Sequence, residues 1–330
     1  MRVGLILSKL ASKRKEEISK RLEASGLKYK ILDKIEFLQE FDILMVIGSD
    51  KNVLEVFQQM KEETIPLLGV SETDELGFLV EKSINQLEDI LKSLANKDYK
   101  IEEASRLYVK VDDKEEAYAL NEIALFPKKS ATLMEYRLVV DDEFIWRDYS
   151  DGVIISTPTG STAYAMSAGG PTLLPTSRAF VIVPVNSMDI TRKPLVINEE
   201  SKIYINEIAS RVDCQVIVDG VKRIKIDKFL KATKAKTQAK LIRITKSSPA
   251  IDRITKKVKL AEELIKMPPS AKLVLKTLQY EGPLSRKELI EKTMLPERTA
   301  RMALSLLTQK GLVKRKSTLR DARRKFYYVL

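Results

Sequence analysis

The chain contains no histidine and one cysteine, Cys214, among its 330 residues. Without histidine it cannot use Ser–His–Asp or Cys–His nucleophiles, histidine acid–base catalysis or the usual zinc sites. A single thiol excludes an intramolecular disulfide and a thiolate cluster. No apolar run approaches the ~20 residues that span a bilayer, and the N-terminal apolar stretch is too short for a signal peptide core. The sequence therefore predicts a soluble, cytoplasmic protein with no membrane partner and no metal ligands of its own.

Positive charge is unevenly distributed along the chain. Lysine and arginine number 58 against 46 aspartates and glutamates, which gives a net charge of +12. Sixteen basic and five acidic residues fall between Lys266 and Leu330, so this tail carries +11 and the rest of the chain only +1. Concentrated charge of one sign predicts a polyanionic partner for the tail. The alternative is a solvated surface that only improves solubility, and composition alone favours neither.

Hydrophobic patterning divides the chain into four segments. Residues 1–100 alternate buried-strand and amphipathic-helix patterns, which is typical of a βαβ layout with a parallel sheet. Residues 101–249 hold short β-branched segments between turns and predict a β-rich domain. Residues 250–268 predict a lysine-rich helical linker that ends at a Pro-Pro pair, and residues 269–330 a separate small domain.

The tail pattern predicts three helices and a hairpin. Ser285 and Glu288 have the spacing of a capping box, and apolar residues from Ala300 to Leu307 recur at helical spacing. The segment KRKSTLRDARRK is expected to be a basic turn. This order resembles the winged helix-turn-helix of transcription regulators, which implies binding of double-stranded DNA. The candidate DNA-binding residues are Arg298, Thr299, Arg301, Ser305, Arg315, Lys316, Arg320, Arg323, Arg324 and Lys325. The alternative is a winged helix used only for dimerisation or protein contact.

The most specific stretch of the body runs from Asp151 to Pro171 and reads DGVIISTPTGSTAYAMSAGGP. It closely resembles the signature of NAD kinases. LNEIAL, LLGVSETDELGFL and the VDG turn at Asp219 agree with that family in order and spacing. The resemblance covers roughly residues 1–265 and implies a homodimer or homotetramer. The predicted fold class is an α/β Rossmann-like N-terminal domain plus a β-rich second domain, followed by a small α+β winged helix-turn-helix.

The resemblance also assigns residues to a dinucleotide. It implies that Asn121, Glu122, Thr162 and Tyr164 contact the adenosine end, and Asp151 and Ser167 the nicotinamide side. The remaining candidate ligand residues are Gly48, Asp50, Thr159 and Ala163. The residue types suit this role, because a hydroxyl-rich turn and a carboxylate–amide pair can hold ribose and base. The alternative is a structural hydroxyl-rich turn in a β-sandwich.

The sequence departs from the family pattern at two places. The family carries Gly-Gly-Asp-Gly after the second buried strand, where this chain has Gly48-Ser49-Asp50-Lys51. Asp50, the family's candidate base, remains, but two glycines that allow positive φ and close phosphate approach are replaced. Lys51 either supplies charge to a phosphate or fills the donor site, and the second effect is favoured. The family's histidine before Arg-Pro-Leu-Val is also missing, since Asn186 and Ser187 occupy that region.

Three hypotheses follow for function. The first is a DNA-binding transcription regulator whose body binds NAD or NADP, or a related adenine dinucleotide, as effector. The alternative is an active NAD kinase that transfers phosphate from ATP or polyphosphate to the 2′-hydroxyl of NAD, with Mg²⁺ and with Asp50 as catalytic residue. The weakest is a scaffold, because scaffolding does not require so polar a turn.

Overall fold

The structure is a computed structural model, and it divides the chain into two compact units, Met1–Arg253 and Ile254–Leu330. It describes every residue except 34, 36, 74–76, 130–131, 245–266, 282, 311, 319–320 and 330. Side chains at 276, 279–281, 316–318, 321–325 and 329 also lie outside the description. The predicted linker helix, residues 250–268, falls almost wholly outside the described residues.

The first unit begins with an α/β sheet. Its strands β1 and β3 are almost entirely apolar, and β3 is buried along its whole length, as a strand covered on both faces must be. The strands pair in the order β2-β1-β3-β4, all parallel, with β5 added parallel to β4. The bounds are β1 Arg2–Leu7, α1 Lys15–Ala24, β2 Lys28–Ile31, β3 Ile43–Gly48, α2 Asp50–Met60, β4 Leu67–Ser71, β5 Val80–Ser83 and α3 Leu87–Ala95.

Two later strands complete this sheet. Strand β6, Lys100–Ala104, opens the segment predicted to be a separate β-rich domain, and the last strand of that segment, Ala239–Arg243, lies beside it. The same last strand pairs in parallel with β4 through Leu241 and Leu67. The segment 101–249 therefore leaves the first sheet and returns to it, which joins the two folds into one unit.

Between these crossings the chain forms a sandwich of two six-stranded antiparallel sheets. One has the order β11-β10-β15-β18-β7-β8 and the other β14-β13-β12-β9-β16-β17. Alternate residues of both sheets, such as Val109, Leu138 and Val216, are fully buried in one core. The bounds are β7 Leu107–Val111, β8 Glu115–Ala119, β9 Glu122–Pro127, β10 Met134–Val140, β11 Glu143–Ser150, β12 Gly152–Ser156, α4 Tyr164–Ser167, β13 Ala179–Val185, β14 Leu195–Asn198, β15 Ile203–Ser210, β16 Cys214–Val218, β17 Lys222–Ile226, β18 Leu230–Lys234 and β19 Ala239–Arg243.

The second unit contains three helices and a three-stranded sheet. Its elements are α5 Pro269–Glu281, β20 Leu284–Ser285, α6 Arg286–Thr293, α7 Glu297–Gln309, β21 Val313–Thr318 and β22 Asp321–Val329. The predicted capping box is present: the Ser285 N–H donates to the Glu288 carboxylate at 2.7 Å. The predicted apolar stripe of α7 is buried. The basic segment expected to be a turn instead forms most of β21 and β22, because the ladder from Val313↔Val329 continues through Ser317↔Lys325.

In the part of the chain that the structure describes, every helix is too short or too polar to cross a bilayer.

Candidate functional site

The candidate residues of the sandwich gather at one of its edges. Strand β9 lies between β12 and β16 and is antiparallel to both. The register pairs Glu122 with Ser156, at the end of β12, and Ile123 with Val218, at the end of β16. The start of β9 therefore meets the turn after β12 and the turn after β16.

The carboxylate of Asp219 fixes the backbone at the start of β9. Its Oδ2 accepts the N–H of Leu120 at 2.9 Å, and its Oδ1 accepts the N–H groups of Asn121 and Glu122 at 2.7 and 3.0 Å. The residue is buried, and burial raises the pKa of Asp219 to about 6 against the lowering effect of these N–H donors. Asp219 thus positions the Asn-Glu pair that the sequence singles out.

The turn after β12 is seated directly on this backbone. The Thr157 hydroxyl donates to the Leu120 carbonyl at 2.6 Å and accepts the Gly160 N–H at 3.0 Å. A Cβ added at Gly160 would overlap the Asn121 backbone, so only glycine fits at this position. Thr157 and the similarly buried Ser161 have their hydroxyls engaged in hydrogen bonds within the fold. Thr159 and Thr162 are half-buried, and the Thr162 hydroxyl donates to the Thr159 carbonyl at 3.3 Å.

The short helix α4 follows the turn and presents an aromatic ring. Ala163 joins the turn to the helix in an uncommon backbone conformation, φ −95° and ψ −123°. Tyr164 is 45 % exposed, and its ring stacks on Phe126 with centroids 5.8 Å apart. Ser167, at the end of α4, is exposed. The Tyr164 ring, the Asn121 amide and the hydroxyls of Thr159, Thr162 and Ser167 are groups suited to binding a nucleoside.

Asp50 stands at the first residue of α2 and repeats the geometry of Asp219. Its Oδ2 accepts the N–H of Phe78 at 2.6 Å, and its Oδ1 accepts those of Leu79 and Val80 at 2.9 and 3.0 Å. A Cβ added at Gly77 would overlap the Asp50 carboxylate. The carboxylate therefore ties the backbone of Phe78, Leu79 and Val80 to the start of α2.

An open cavity of about 570 Å³ lies beside α2, outside the carboxyl ends of β1 and β2, and Lys51 and Asn52, which follow Asp50, line it. A parallel sheet whose strand order reverses between β1 and β3 commonly binds ligands in this position. Lys51, whose side chain is 68 % exposed, lines the cavity. The apolar part of the wall comes from Ile6, Leu7, Leu10, Leu32, Ile35 and Val56, and the polar part from Ser8, Lys9, Asp33, Lys51, Asn52, Glu55, Gln59 and Glu72.

Helix α2 connects the cavity with the edge of the sandwich. Its Gln58 side chain donates to the Val218 carbonyl at 3.0 Å, next to Asp219. Phe57 packs in one buried cluster with Leu120. Because α2 rises ~1.5 Å per residue, Asp50 stands about 12 Å along the helix from Gln58.

Asp151 lies apart from these residues. It precedes β12, whereas the hydroxyl turn follows it, so about six residues of extended chain, ~20 Å, separate the two. Asn186, at the position of the missing histidine, donates to the Asp151 carboxylate at 2.8 Å, and Ser187 donates to Asp148. Within one chain the structure does not bring Asp151 to the turn.

Comparison with known proteins decides the family of the body. Residues 6–99 match the ATP-NAD kinase N-terminal domain, and residues 120–244 match the ATP-NAD kinase C-terminal domain. The chain is 33 % identical to an NAD kinase of Methanopyrus kandleri over 205 residues, which is 62 % of this chain and 74 % of the relative. It is 32 % identical to an NAD kinase of Rhodococcus erythropolis over 225 residues, 66 % of this chain and 71 % of the relative. The chain belongs to the NAD kinase family.

Solved structures of this family agree in fold. An NAD kinase from Archaeoglobus fulgidus in complex with ATP superposes with a TM-score of 0.67 and 26 % identity, over 78 % of this chain and 98 % of the other. Yeast NADH kinase complexed with NADH has the same fold, with a TM-score of 0.68 and 20 % identity over 78 % and 87 % of the two chains. Neither domain match extends beyond residue 244, so the second unit lies outside them. For the body, the comparisons favour the kinase hypothesis over the regulator.

The two residues that replace the glycines of the NAD kinase family, Ser49 and Lys51, have ordinary backbone conformations. Ser49 is extended, with φ −97° and ψ 173°, and Lys51 lies within α2. Neither position requires glycine, and Lys51 borders the open cavity with its side chain largely in solvent rather than filling it. The favoured expectation, that Lys51 blocks this region, finds no support in this geometry. At Gly48, by contrast, an added Cβ would lie 2.5 Å from the Asn52 amide oxygen.

The candidate DNA-binding residues are described only in part. Arg298, Arg301 and Ser305 are exposed on α7, Thr299 is half-buried, and Arg315 is exposed on β21. Arg320 and the side chains of Lys316, Arg323, Arg324 and Lys325 lie outside the described residues.

Sequence reasoning missed several positioning residues. Gln58 belongs to no recognised motif, and Gly77 and Asp219 were noted only as parts of family motifs, without a positioning role. A signal was present for Asp219, since Asp-Gly favours a tight turn with positive φ, and the structure has +51° and +68° there.

Proposed function

We propose that the body of this chain is an active NAD kinase. The 2′-hydroxyl oxygen of NAD attacks the terminal phosphorus of ATP or polyphosphate, its proton passes to the Asp50 carboxylate, and the shortened donor leaves. The supporting observation is that three backbone N–H groups hold the Asp50 carboxylate in place, and that the next two residues, Lys51 and Asn52, line an open cavity. A base held in one orientation lowers the barrier by positioning as well as by proton transfer.

Asp50 retains capacity for a substrate hydroxyl. A carboxylate offers about four lone-pair sites, and the three N–H donors use two on Oδ1 and one on Oδ2. One site on Oδ2 therefore remains to accept the 2′-hydroxyl proton.

We assign the edge of the sandwich to the adenosine of NAD. The Asn121 amide and the hydroxyls of Thr159 and Thr162 suit hydrogen bonds to base and ribose, and the exposed ring of Tyr164 suits stacking. Asp219 contributes by fixing the backbone that carries Asn121.

Mg²⁺ fits this site as a companion of the donor. No group of three metal-ligating side chains occurs among the described residues. Magnesium is usually held by substrate phosphates with one or two carboxylates, and Asp33, Glu55 and Glu72 line the cavity. When bound, the ion would neutralise phosphate charge.

The test is formation of NADP by the purified full chain, supplied with NAD, Mg²⁺ and either ATP or polyphosphate. We expect activity that falls at least 100-fold in Asp50→Asn while NAD affinity, measured by calorimetry, stays within threefold. The control is Asp112→Asn, because Asp112 accepts three consecutive N–H groups in a hairpin remote from the motifs. Failure of the wild type to form NADP with either donor refutes the proposal.

A second candidate function belongs to the C-terminal unit. We propose that it is a winged helix-turn-helix that binds double-stranded DNA through α7. The observation that favours it is the exposed face of α7, which carries Arg298, Arg301 and Ser305, in a tail with a net charge of +11.

This candidate is tested by titrating a DNA duplex with the full chain at several salt concentrations, with and without NAD or NADP. We expect affinity to fall steeply with salt, as it does when several phosphates are contacted. An effect of the dinucleotides would support the regulator hypothesis. No binding at low salt refutes DNA recognition.

A further inference from the structure

A second cavity, of about 400 Å³, lies within the C-terminal unit and is lined by arginine from three elements. Arg286 is the first residue of α6, Arg301 lies on α7 and Arg315 on β21. All three side chains are exposed. Among the described residues that line the cavity, none is acidic.

The fold explains why these arginines converge. The sheet order β20-β22-β21 places Leu284, Tyr327 and Arg315 side by side across three strands. Arg286 follows β20 directly and therefore reaches the same end of the sheet. Helix α7 packs on β21 and turns Arg301 and Ser305, one helical turn apart, towards the cavity.

The charges of these arginines are largely uncompensated. The Arg286 guanidinium is 3.8 Å from the Glu297 carboxylate, but both side chains are exposed and such pairs contribute little. The described residues give no ion pair for Arg301 or Arg315. Three cations around one concavity therefore leave a strongly positive site.

The donor chemistry of the wall matches a phosphate group. Guanidinium forks pair with phosphate oxygens through two parallel hydrogen bonds, which a lysine cannot do. The Ser305 and Tyr327 hydroxyls and the Gln309 amide, which also line the cavity, can donate to the remaining oxygens. We propose that this arginine cavity binds a phosphate group.

The phosphate has two possible sources with the same chemistry. It belongs either to the backbone of a duplex that lies along α7, in which case the inference rests on the proposed DNA binding, or to a free phosphorylated molecule. In the first case the cavity sets register and affinity rather than sequence preference.

The experiment compares Arg286→Gln and Arg315→Gln with the matched control Lys287→Gln, which removes one charge from the next residue along α6, outside the cavity. The full chain is titrated with a duplex of about 20 base pairs at several salt concentrations, and separately with inorganic pyrophosphate by calorimetry. For the backbone source we expect each arginine variant to bind the duplex about tenfold more weakly and with a salt slope smaller by ~0.9. The control should change by less than threefold.

For the free source we expect pyrophosphate binding that both arginine variants lose and the control retains. If the wild type binds no duplex, but the arginine variants lose pyrophosphate binding and the control retains it, the DNA-binding proposal is refuted and the phosphate-site proposal is supported. If the wild type binds duplex and the arginine variants match the control with both probes, the cavity proposal fails and DNA binding stands. Binding of neither probe by the wild type overturns both.

Discussion

Two aspartates with the same hydrogen-bond geometry should have pKa values that are shifted in opposite directions. Asp219 and Asp112 each accept three consecutive backbone N–H groups, and both have positive φ. Burial raises the pKa of Asp219 to about 6. Burial also acts to raise the pKa of Asp112, but its N–H donors and Lys114 outweigh that effect and lower it.

The pH-dependent change in unfolding free energy that Asp219 causes follows from the linkage between its pKa and folding. A folded pKa of about 6 against an ordinary value of 3.8 is a difference of about two units, or about 3 kcal/mol. Because the folded pKa is raised, the stabilisation is fully present below pH ~3.8 and is lost as pH rises through ~6. The wild type should therefore lose about 3 kcal/mol of unfolding free energy relative to Asp219→Asn over that range.

The assay is urea unfolding of wild type, Asp219→Asn and Asp112→Asn at several pH values, with carboxyl carbon shifts followed by NMR. For Asp112 the sign reverses: its stabilisation is present above the ordinary pKa and is lost as pH falls through the lowered folded pKa. A flat difference between wild type and Asp219→Asn from pH 4 to 7 would refute the reasoning. So would slopes of the same sign for the two variants.

Three further predictions concern the site. Gly77→Ala should lower NADP formation at least 100-fold, because the added Cβ displaces the Asp50 carboxylate, while calorimetry shows unchanged NAD affinity; equal loss of both would contradict it. Tyr164→Ala should weaken NAD binding about tenfold, the loss expected of one stacked ring, and Tyr164→Phe should not. Lys51→Gly should raise the KM for the phosphate donor several-fold at unchanged KM for NAD, since Lys51 lines the open cavity; an increase in kcat/KM for the donor would show instead that Lys51 obstructs it.

Local sequence patterns predicted helices and strands correctly where the burial of apolar side chains determines the secondary structure. The apolar runs at β1 and β3 and the amphipathic pattern of α3 are strands and a helix in the structure. The segment EAYALNEIALF, by contrast, is one of the short β-type segments of residues 101–249 and forms two strands, β8 and β9. The break falls where the Asp219 carboxylate, about a hundred residues away, takes the N–H groups of Leu120 and Asn121. Such a long-range partner leaves no trace in local periodicity.

The same limit applies to the sheets and the site. Nothing local in residues 239–243 indicates that this strand returns to the first sheet, because its partners in β4 and β6 lie more than a hundred residues earlier in the chain. The motifs singled out Asp50, Asn121 and the hydroxyl turn, and their roles in ligand binding stay predictions. They did not reveal that Thr157 and Ser161 are buried, with their hydroxyls engaged in hydrogen bonds within the fold, since hydroxyl residues look alike until their partners are known.

The loop that departs from the family pattern shows how a sequence difference can mislead. Losing two glycines suggests a damaged loop, yet glycine is required only where a Cβ collides or φ is positive. In this chain the collisions lie at Gly48 and Gly77, which are kept, and not at Ser49 or Lys51. The constraint that holds Asp50 is therefore intact, and the substitution at position 51 changes the charge at the cavity wall rather than the backbone. We therefore expect this substitution to affect the kinetics with the phosphate donor rather than the stability of the fold.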